Sequence, residues 1–294
     1  MCTFKEIWPD YIDDSDVIRT YSYVNRSWNL DDPEVAVCFL AWNAKELTLR
    51  CLRKVVEHTD PTRAALYILD NGSEEIGMLA DMEKVLCEWK GRYTLIRSSQ
   101  NLFYSKGFNY LMSLVPGWTR YVVLCSSDCE PKSAKWLDYF IDALDCEGDV
   151  AGLVTSEVTQ KWQEQIYRDR PIQYSDPVSN SMMRYYYNEG RTFQHVFQYC
   201  LMLRLPVLDR LGLYLERGRF YQHHSDWEWS MRMNALGLFL RNVTPDVHHH
   251  HQIAGLWACH RERYAEYMRM LEDPEQEQII LSQGRPLWET EKSE

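Results

Sequence analysis

The chain has 294 residues, of which 45% are hydrophobic and 26% are charged, a composition typical of a folded globular protein. Acidic residues number 43 and basic residues 32, and the formal net charge of -11 argues against a dedicated nucleic-acid-binding surface. No apolar run approaches the roughly 20 residues that cross a bilayer, and the N-terminal residues show no signal-peptide core. Nine scattered cysteines without a CxxC pair are typical of buried thiols in a reducing compartment. We therefore expect a cytoplasmic protein with no transmembrane segment.

Strands and helices are predicted to alternate within a domain at residues 35–255. Apolar runs typical of buried strands cover residues 35–41, 64–69, 93–97, 121–125, 150–155, 197–203 and 238–243. Helical spacing of apolar residues predicts helices over 46–58, 107–114, 136–144 and 227–236, and one more that begins at a Ser73 cap. Because the first four strands recur at intervals of roughly 28 residues, we expect an α/β fold with a mainly parallel sheet. Residues 1–34 are expected to be an N-terminal extension and residues 256–294 a helical tail.

Polar residues follow the predicted strands at their carboxyl ends, where parallel sheets bind ligands. Asp70, at the end of the second strand, is well placed to accept hydrogen bonds from a nucleobase or ribose. An Asx-type turn leading into Ser73 is the structural alternative, and both can hold. Asp128 and Glu130 follow the fourth strand, and their hard oxygen atoms could bind Mg²⁺ or Mn²⁺. An acidic surface loop is the alternative for that pair.

Two further polar segments lie near the end of the predicted domain. Asp226 and Glu228 come just before a predicted helix, whose N-terminus would help keep a carboxylate ionised. The alternative is that both are ordinary acidic surface residues at the N-terminus of a solvent-exposed helix. Four consecutive histidines cover 248–251. In a strand, His249 and His251 would share one face and His248 and His250 the other, so at most two would reach one site.

These residues together resemble the inverting family 2 glycosyltransferases of GT-A fold, especially their rhamnosyltransferase-like branch. The resemblance spans roughly residues 35–255 and depends on five ordered motifs. They are VAVCFLAWN at 35–43, DNGS at 70–73, NLFYSKGFN at 101–109, SDCEP at 127–131, and SDWE at 225–228 followed by Arg232 and Gly237. Two positions depart from the family pattern. Phe103 stands where glycine is usual, and Ser225 stands where glutamate is usual.

The resemblance implies a metal-dependent enzyme that moves a sugar from a nucleoside diphosphate, linked to uridine or thymidine, to an acceptor hydroxyl. It implies donor contacts by Trp42, Asn43, Asp70, Asn101, Lys106, Asn109 and Ser127. It implies Mn²⁺ or Mg²⁺ ligands at Asp128, Glu130, His251 and, second to it, His249. Asp226 is implied as the general base, because an inverting transfer needs a carboxylate opposite the leaving group. The acceptor could be a glycan, a lipid-linked sugar, a protein or a modified base.

Two other functions stay open from the sequence. A sugar nucleotidyltransferase would share the sheet architecture, but no Gly-rich basic loop for a triphosphate stands near the N-terminus. A catalytically inactive GT-A module that only binds a nucleotide or glycan is consistent with the departures at Phe103 and Ser225. Donor hydrolysis separates the leading function from the inactive module.

Overall fold

A computed structural model describes residues 17–23, 32–146, 148–153 and 199–214, and a further set at 225, 229–230, 233, 236–238, 240–243 and 246–250. Its strands are β1 (Val17–Tyr23), β2 (Val35–Ala41), β3 (Ala64–Asp70), β4 (Tyr93–Ser98), β5 (Tyr121–Ser126), β6 (Cys129–Pro131), β7 (Val150–Leu153), β8 (Cys200–Arg204), β9 (Leu240–Val243) and β10 (Val247–His249). Its helices are α1 (Lys45–His58), α2 (Met78–Leu86), α3 (Phe103–Ser113), α4 (Trp136–Asp145) and α5 (Leu205–Leu211).

Eight strands form one sheet in the order β1-β4-β3-β2-β5-β8-β7-β9. Strands β4, β3, β2 and β5 are parallel to one another, whereas β1 pairs antiparallel with β4 and β8 pairs antiparallel with β5 and β7. Strand β9 pairs parallel with β7. A separate two-stranded antiparallel pair joins β6 to β10. The predicted α/β fold with a mainly parallel sheet flanked by helices is confirmed. The predicted C-terminal tail lies outside the described residues.

Both faces of the sheet are covered, which explains why its central strands read as continuous apolar runs. Every residue of β2 and β3 is buried. Alternate residues of β2 enter opposite cores, since Val37 and Phe39 pack with α1, α2 and α4 while Cys38 and Leu40 pack with α3 and α5. The carboxyl ends of β2 to β5 are therefore held on a rigid, fully packed support.

The predicted start of the second helix at Ser73 is wrong. Helix α2 begins at Met78, after a left-handed Gly77 with φ of 75°. The Ser73 hydroxyl instead accepts a hydrogen bond from the backbone N–H of Asn43 at 2.8 Å. Ile76, which would lie in the first turn of a helix capped by Ser73, is 95% exposed. A long-range contact therefore outcompetes the local capping signal.

The described cysteines are unbonded, as the sequence predicted. Five of the seven are buried and two are exposed: Cys38, Cys51, Cys125, Cys129 and Cys200 are buried, and Cys87 and Cys146 are exposed. Burial raises the pKa of the Cys38 and Cys51 thiols well above the ordinary value. Cys2 and Cys259 lie outside the described residues. Within the part of the chain that the structure describes, none of the helices is long and apolar enough to span a membrane.

Candidate active site

The carboxyl ends of β2, β3, β4 and β5 meet at one edge of the sheet. Ala41 pairs with Asp70, and Asp70 pairs in turn with Arg97. On the other side of β2, Leu40 pairs with Ser126, two residues before Asp128. The segments that carry the predicted donor and metal residues therefore start from the same level of the sheet.

Asp70 is fully buried at this edge, and one of its carboxylate oxygens already accepts a hydrogen bond within the protein. Its Oδ1 accepts a hydrogen bond from the Ser73 N–H at 3.0 Å, so the predicted Asx-type turn forms. Its Oδ2 lies 3.4 Å from Nη1 of Arg97 but accepts no hydrogen bond from the described residues. Buried carboxylate oxygens are costly without partners. The Oδ2 atom is therefore a natural acceptor for a ligand N–H or O–H group.

The Asn43 side chain braces the segments that follow β2 and β3. It is buried, and its Oδ1 accepts a hydrogen bond from the N–H of Glu74 at 2.8 Å. Its backbone lies in the left-handed region with φ of 51°. Trp42, the preceding residue, is partly buried. What the structure shows of Asn43 is a positioning role, and donor contact by these two residues stays a prediction.

Asn71 holds the segment that begins α3. Its Nδ2 donates to Asn101 Oδ1 at 2.9 Å and to the Phe103 carbonyl at 3.1 Å, while its Oδ1 accepts from the Leu102 N–H at 2.7 Å. Phe103 has φ of 59°, in the left-handed region that favours glycine. The chain therefore keeps the backbone conformation of a glycine position, at a cost of about 1–2 kcal/mol for a phenylalanine.

Two glycines make this packing possible. A Cβ on Gly72, which has φ of 72°, would lie 2.4 Å from the carbonyl carbon of Gln100 and 2.7 Å from the N of Asn101. A Cβ on Gly107 would lie 2.8 Å from Cδ1 of Leu40. The DNGS turn meets the backbone of residues 100–101 as closely as only glycine allows, whereas a side chain at Gly107 would only require the end of the Leu40 side chain to shift. Lys106, beside Gly107, is partly buried.

We expect Gly72→Ala to lower the free energy of unfolding by about 2–3 kcal/mol or more, because it adds a backbone clash to a left-handed conformation. Gly237→Ala is the matched control. Gly237 has φ of 67°, but a Cβ there would have nothing within 4 Å, so only the conformational cost of about 1–2 kcal/mol remains. Urea unfolding of both variants measures the difference. Equal destabilisation would contradict the close approach at Gly72.

Asn109 and an aromatic cluster hold the segment that follows α5. The Asn109 amide donates to the Tyr214 carbonyl at 2.9 Å and accepts from the Tyr214 N–H at 2.8 Å. The Tyr214 ring packs against Trp229 at 4.0 Å between centroids, and the Trp229 indole donates to the Gly212 carbonyl at 3.2 Å. Trp229 is buried and lies three residues after Asp226. Asp226 and Glu228 lie outside the described residues, and the nearby Ser225 is buried.

Asp128 contacts His249 at the end of the sheet. Asp128 Oδ2 lies 2.9 Å from His249 Nε2, and both side chains are buried. The His250 N–H donates to the Asp128 carbonyl at 2.9 Å, and the His249 ring stacks on Tyr199 at 3.8 Å between centroids. Ser127, which precedes Asp128, is also buried. The structure thus brings together one predicted carboxylate and one predicted histidine, whereas His251 lies outside the described residues.

Glu130 has different partners from Asp128. Its Oε2 lies 3.0 Å from Nε of Arg50 and 2.7 Å from Nε2 of His250. Partial burial alone would raise the pKa of Glu130, but the hydrogen bond with His250 and the charge of Arg50 outweigh burial and lower it. The predicted alternation holds along residues 248–250, because His249 turns inward while the His248 and His250 rings lie together at 4.3 Å.

Among the described residues, one trio of metal-ligating side chains has its ligand atoms within 4.8 Å of one another, namely Cys51, Glu130 and His250. Neither Arg50 nor His250 was predicted from the sequence as part of a site. The guanidinium Nη2 of Arg50 lies 3.0 Å from Nδ1 and 2.7 Å from Nε2 of His250. Its charge opposes a cation at the trio, and burial opposes the thiolate form of Cys51 by raising its pKa.

Residues 36–212 match the family model described as Glycosyl transferase family 2. The match covers more than half of the chain, which therefore belongs to this family. The fold resembles the mannosyltransferase PcManGT from Pyrobaculum calidifontis, solved in complex with GDP-Man and Mn²⁺, with a TM-score of 0.53. The identity is 12%, and the alignment covers 74% of this chain and 58% of that one.

S. aureus TarS, solved for its residues 1–349, gives a TM-score of 0.46 at 15% identity. The alignment covers 68% of this chain and 54% of that one. This chain therefore spans little more than half the length of the two solved structures. No curated protein matches the sequence closely enough to count as a relative.

Proposed function

We propose that this glycosyltransferase moves a sugar from a uridine or thymidine diphosphate carrier to an acceptor hydroxyl, with inversion at the anomeric carbon and with a divalent cation. The observation that supports it best is a pair of groups at one edge of the sheet. The Asp70 Oδ2 atom has no hydrogen-bond partner among the described residues, and Asp128 contacts His249. The strands that lead to them, β3 and β5, lie on either side of β2 and are therefore about 10 Å apart. A nucleotide can cover that distance between its base and its phosphates.

The nucleobase preference follows from the chemistry around Asp70. One carboxylate oxygen is buried without a hydrogen-bond partner among the described residues, and Arg97 lies beside it as a donor. This pattern complements the N3–H and neighbouring carbonyl of uracil or thymine. Guanine would present a second N–H group, which needs another acceptor, and the second Asp70 oxygen is already held by Ser73.

We expect Asp70→Asn to weaken UDP binding about 10- to 100-fold, because a charge-assisted hydrogen bond contributes about 1.5–3 kcal/mol. The asparagine oxygen can still accept the Ser73 N–H, so the turn should survive. Calorimetric titration with UDP and with GDP measures the effect, and the melting temperature checks the fold. Binding of UDP as tight as in the unchanged protein would contradict a role for Asp70 in base recognition.

The cation would be held by Asp128 and His249, with His251 as a further predicted ligand. Adjacent ligands of an octahedral cation with bonds of about 2.1 Å lie about 3 Å apart, and Asp128 Oδ2 and His249 Nε2 are 2.9 Å apart. An imidazole in the ligand set favours Mn²⁺ over Mg²⁺. When bound, the cation would offset the negative charge of the departing diphosphate.

The remaining residues would bind and orient the donor or move the acceptor proton. Asp226 would take that proton as the hydroxyl attacks the anomeric carbon. Donor contacts stay predictions for Trp42, Asn43, Asn101, Lys106, Asn109 and Ser127. Membership of a rhamnosyltransferase-like branch also stays a prediction from the sequence motifs.

A donor panel tests the proposal. Melting temperatures are measured with UDP-, dTDP- and GDP-linked sugars, with Mn²⁺ or with EDTA, because a ligand that binds the folded state raises the melting temperature. We expect stabilisation by a uridine or thymidine donor that EDTA removes, and release of the nucleoside diphosphate on incubation. Binding without any turnover, including hydrolysis, would instead identify a catalytically inactive module. Phe103 keeps the left-handed backbone conformation that glycine has at this motif position, which favours the active enzyme over the inactive module.

A further inference from the structure

Strand pair β6–β10 carries two groups of side chains on opposite faces. Asp128 precedes β6 and meets His249 of β10, while Glu130 of β6 meets His250, which follows β10. Because successive side chains of a strand alternate between faces, a constraint on one face also fixes the other. The backbone adds a direct link, since the His250 N–H donates to the Asp128 carbonyl at 2.9 Å.

Arg50 of α1 ties the outer face of this pair to the rest of the domain. Its Nε lies 3.0 Å from Glu130 Oε2, and its Nη2 lies 2.7 Å and 3.0 Å from the two ring nitrogens of His250. The His250 Nε2 lies 2.7 Å from the same Glu130 oxygen. Each of the three side chains therefore contacts the other two. Helix α1 packs against β6, which gives Arg50 a fixed origin.

The charges of this cluster are balanced without a metal ion. Glu130 is 20% exposed and His250 is 13% exposed, so their polar groups are largely removed from water and need partners. Arg50 supplies both a positive charge and several fixed donors to the same carboxylate and imidazole. A divalent cation at Glu130 and His250 would have to displace this guanidinium.

We propose that Arg50, Glu130 and His250 form a positioning cluster that sets the spacing of Asp128 and His249, and that Glu130 is not a metal ligand. This inference rests on the proposed function, in which Asp128 and His249 hold the cation. It replaces the ligand role that the sequence motif implied for Glu130. Groups that orient metal ligands from outside typically change metal affinity 10- to 100-fold when they are removed.

Arg50→Met gives a test by the sign of its effect. If Arg50 positions Asp128 and His249, its loss weakens Mn²⁺ binding about tenfold. If Glu130 and His250 are themselves ligands, removal of the competing positive charge tightens Mn²⁺ binding. The affinity is measured from the EPR signal of free Mn²⁺, with and without UDP. Arg53→Met is the matched control, because Arg53 is an exposed arginine on the same helix, and it should change nothing.

Glu130 variants repeat the comparison without changing Arg50. Glu130→Gln keeps an acceptor for Arg50 and His250 and should retain Mn²⁺ affinity within about threefold, whereas Glu130→Ala should lose about tenfold. Three results would overturn the positioning role. One is an equal loss of Mn²⁺ affinity in Glu130→Gln and Glu130→Ala, and another is tighter Mn²⁺ binding by Arg50→Met. The third is unchanged Mn²⁺ affinity in both Arg50→Met and Glu130→Ala. Asp128→Asn in the same assay tests the proposed metal site itself. If Asp128→Asn loses Mn²⁺ affinity while the Arg50 and Glu130 variants keep it, the positioning cluster is rejected and the proposed function is still supported.

Discussion

Asp128→Asn is expected to slow sugar transfer about 10²- to 10³-fold at saturating donor, and to remove most of the dependence of the rate on Mn²⁺. The substitution keeps the shape of the side chain and one possible hydrogen bond to His249, but it removes the negative charge that would attract a cation. Polarisation by a metal ion contributes several kcal/mol to the stability of a charged transition state, and each 1.36 kcal/mol is about tenfold in rate. Initial rates of nucleoside diphosphate release, measured over a range of Mn²⁺ concentrations, give both quantities.

The control for Asp128 is Asp142→Asn, which changes the same charge at an exposed position of α4. It should leave the rate and the Mn²⁺ dependence unchanged. Excess EDTA should bring the unchanged protein down to the level of the Asp128 variant. Full activity in EDTA, or a fully active Asp128 variant, would reject the metal-dependent mechanism at this residue.

The central strands could be predicted from the sequence because most of their residues are buried. The apolar run at 35–41 coincides with β2, and the runs at 64–69, 93–97 and 121–125 fall short of their strands by one residue. Strands β2, β3 and β5 carry their own signal, since burial on two faces leaves little room for polar residues. Strand β4 is only partly buried and is recognised by its shorter apolar stretch. The position of Asp70 at a strand end follows from the same local information.

Features that depend on distant partners could not be read from the sequence. Strand β1 pairs with β4 across about 70 residues, and its own sequence, VIRTYSY, has no continuous apolar run. The interaction of Ser73 with Asn43 depends on the loop after β2, so a local helix-capping pattern gave the wrong start for α2. Pairing of Glu130 with Arg50 and His250 likewise joins three segments that no local pattern connects.

Phe103 shows that the backbone conformation of a family motif can be kept when the residue type at that position changes. The motif has a glycine where this chain has an aromatic residue, and this departure is one reason why the sequence leaves a catalytically inactive module open. The structure keeps the left-handed backbone at this residue, with Asn71 bonded to the Phe103 carbonyl. Hydrogen bonds from a neighbouring segment can thus hold a conformation that the residue itself disfavours.

Asp226→Asn is expected to leave donor and Mn²⁺ binding intact and to lower kcat about 10²- to 10⁴-fold, the usual contribution of a positioned general base. The acceptor hydroxyl must lose its proton as it attacks, and an asparagine at this position cannot accept it. The fold should tolerate the change, because the contact between Trp229 and Tyr214 does not involve this carboxylate. Single-turnover transfer to an acceptor measures the chemical step, and UDP titration measures binding.

Glu228→Gln is the matched control for Asp226, because it neutralises the other carboxylate of the SDWE motif two residues further along. If Asp226 is the base, Glu228→Gln changes kcat by no more than a few-fold, whereas Asp226→Asn loses most of kcat. If the two results are reversed, Glu228 is the base, because the variants differ only in which carboxylate remains. The pH dependence of kcat provides the second criterion. The unchanged protein should lose activity at low pH as its base becomes protonated. In the variant that lacks the base, the residual rate should no longer show this fall at low pH.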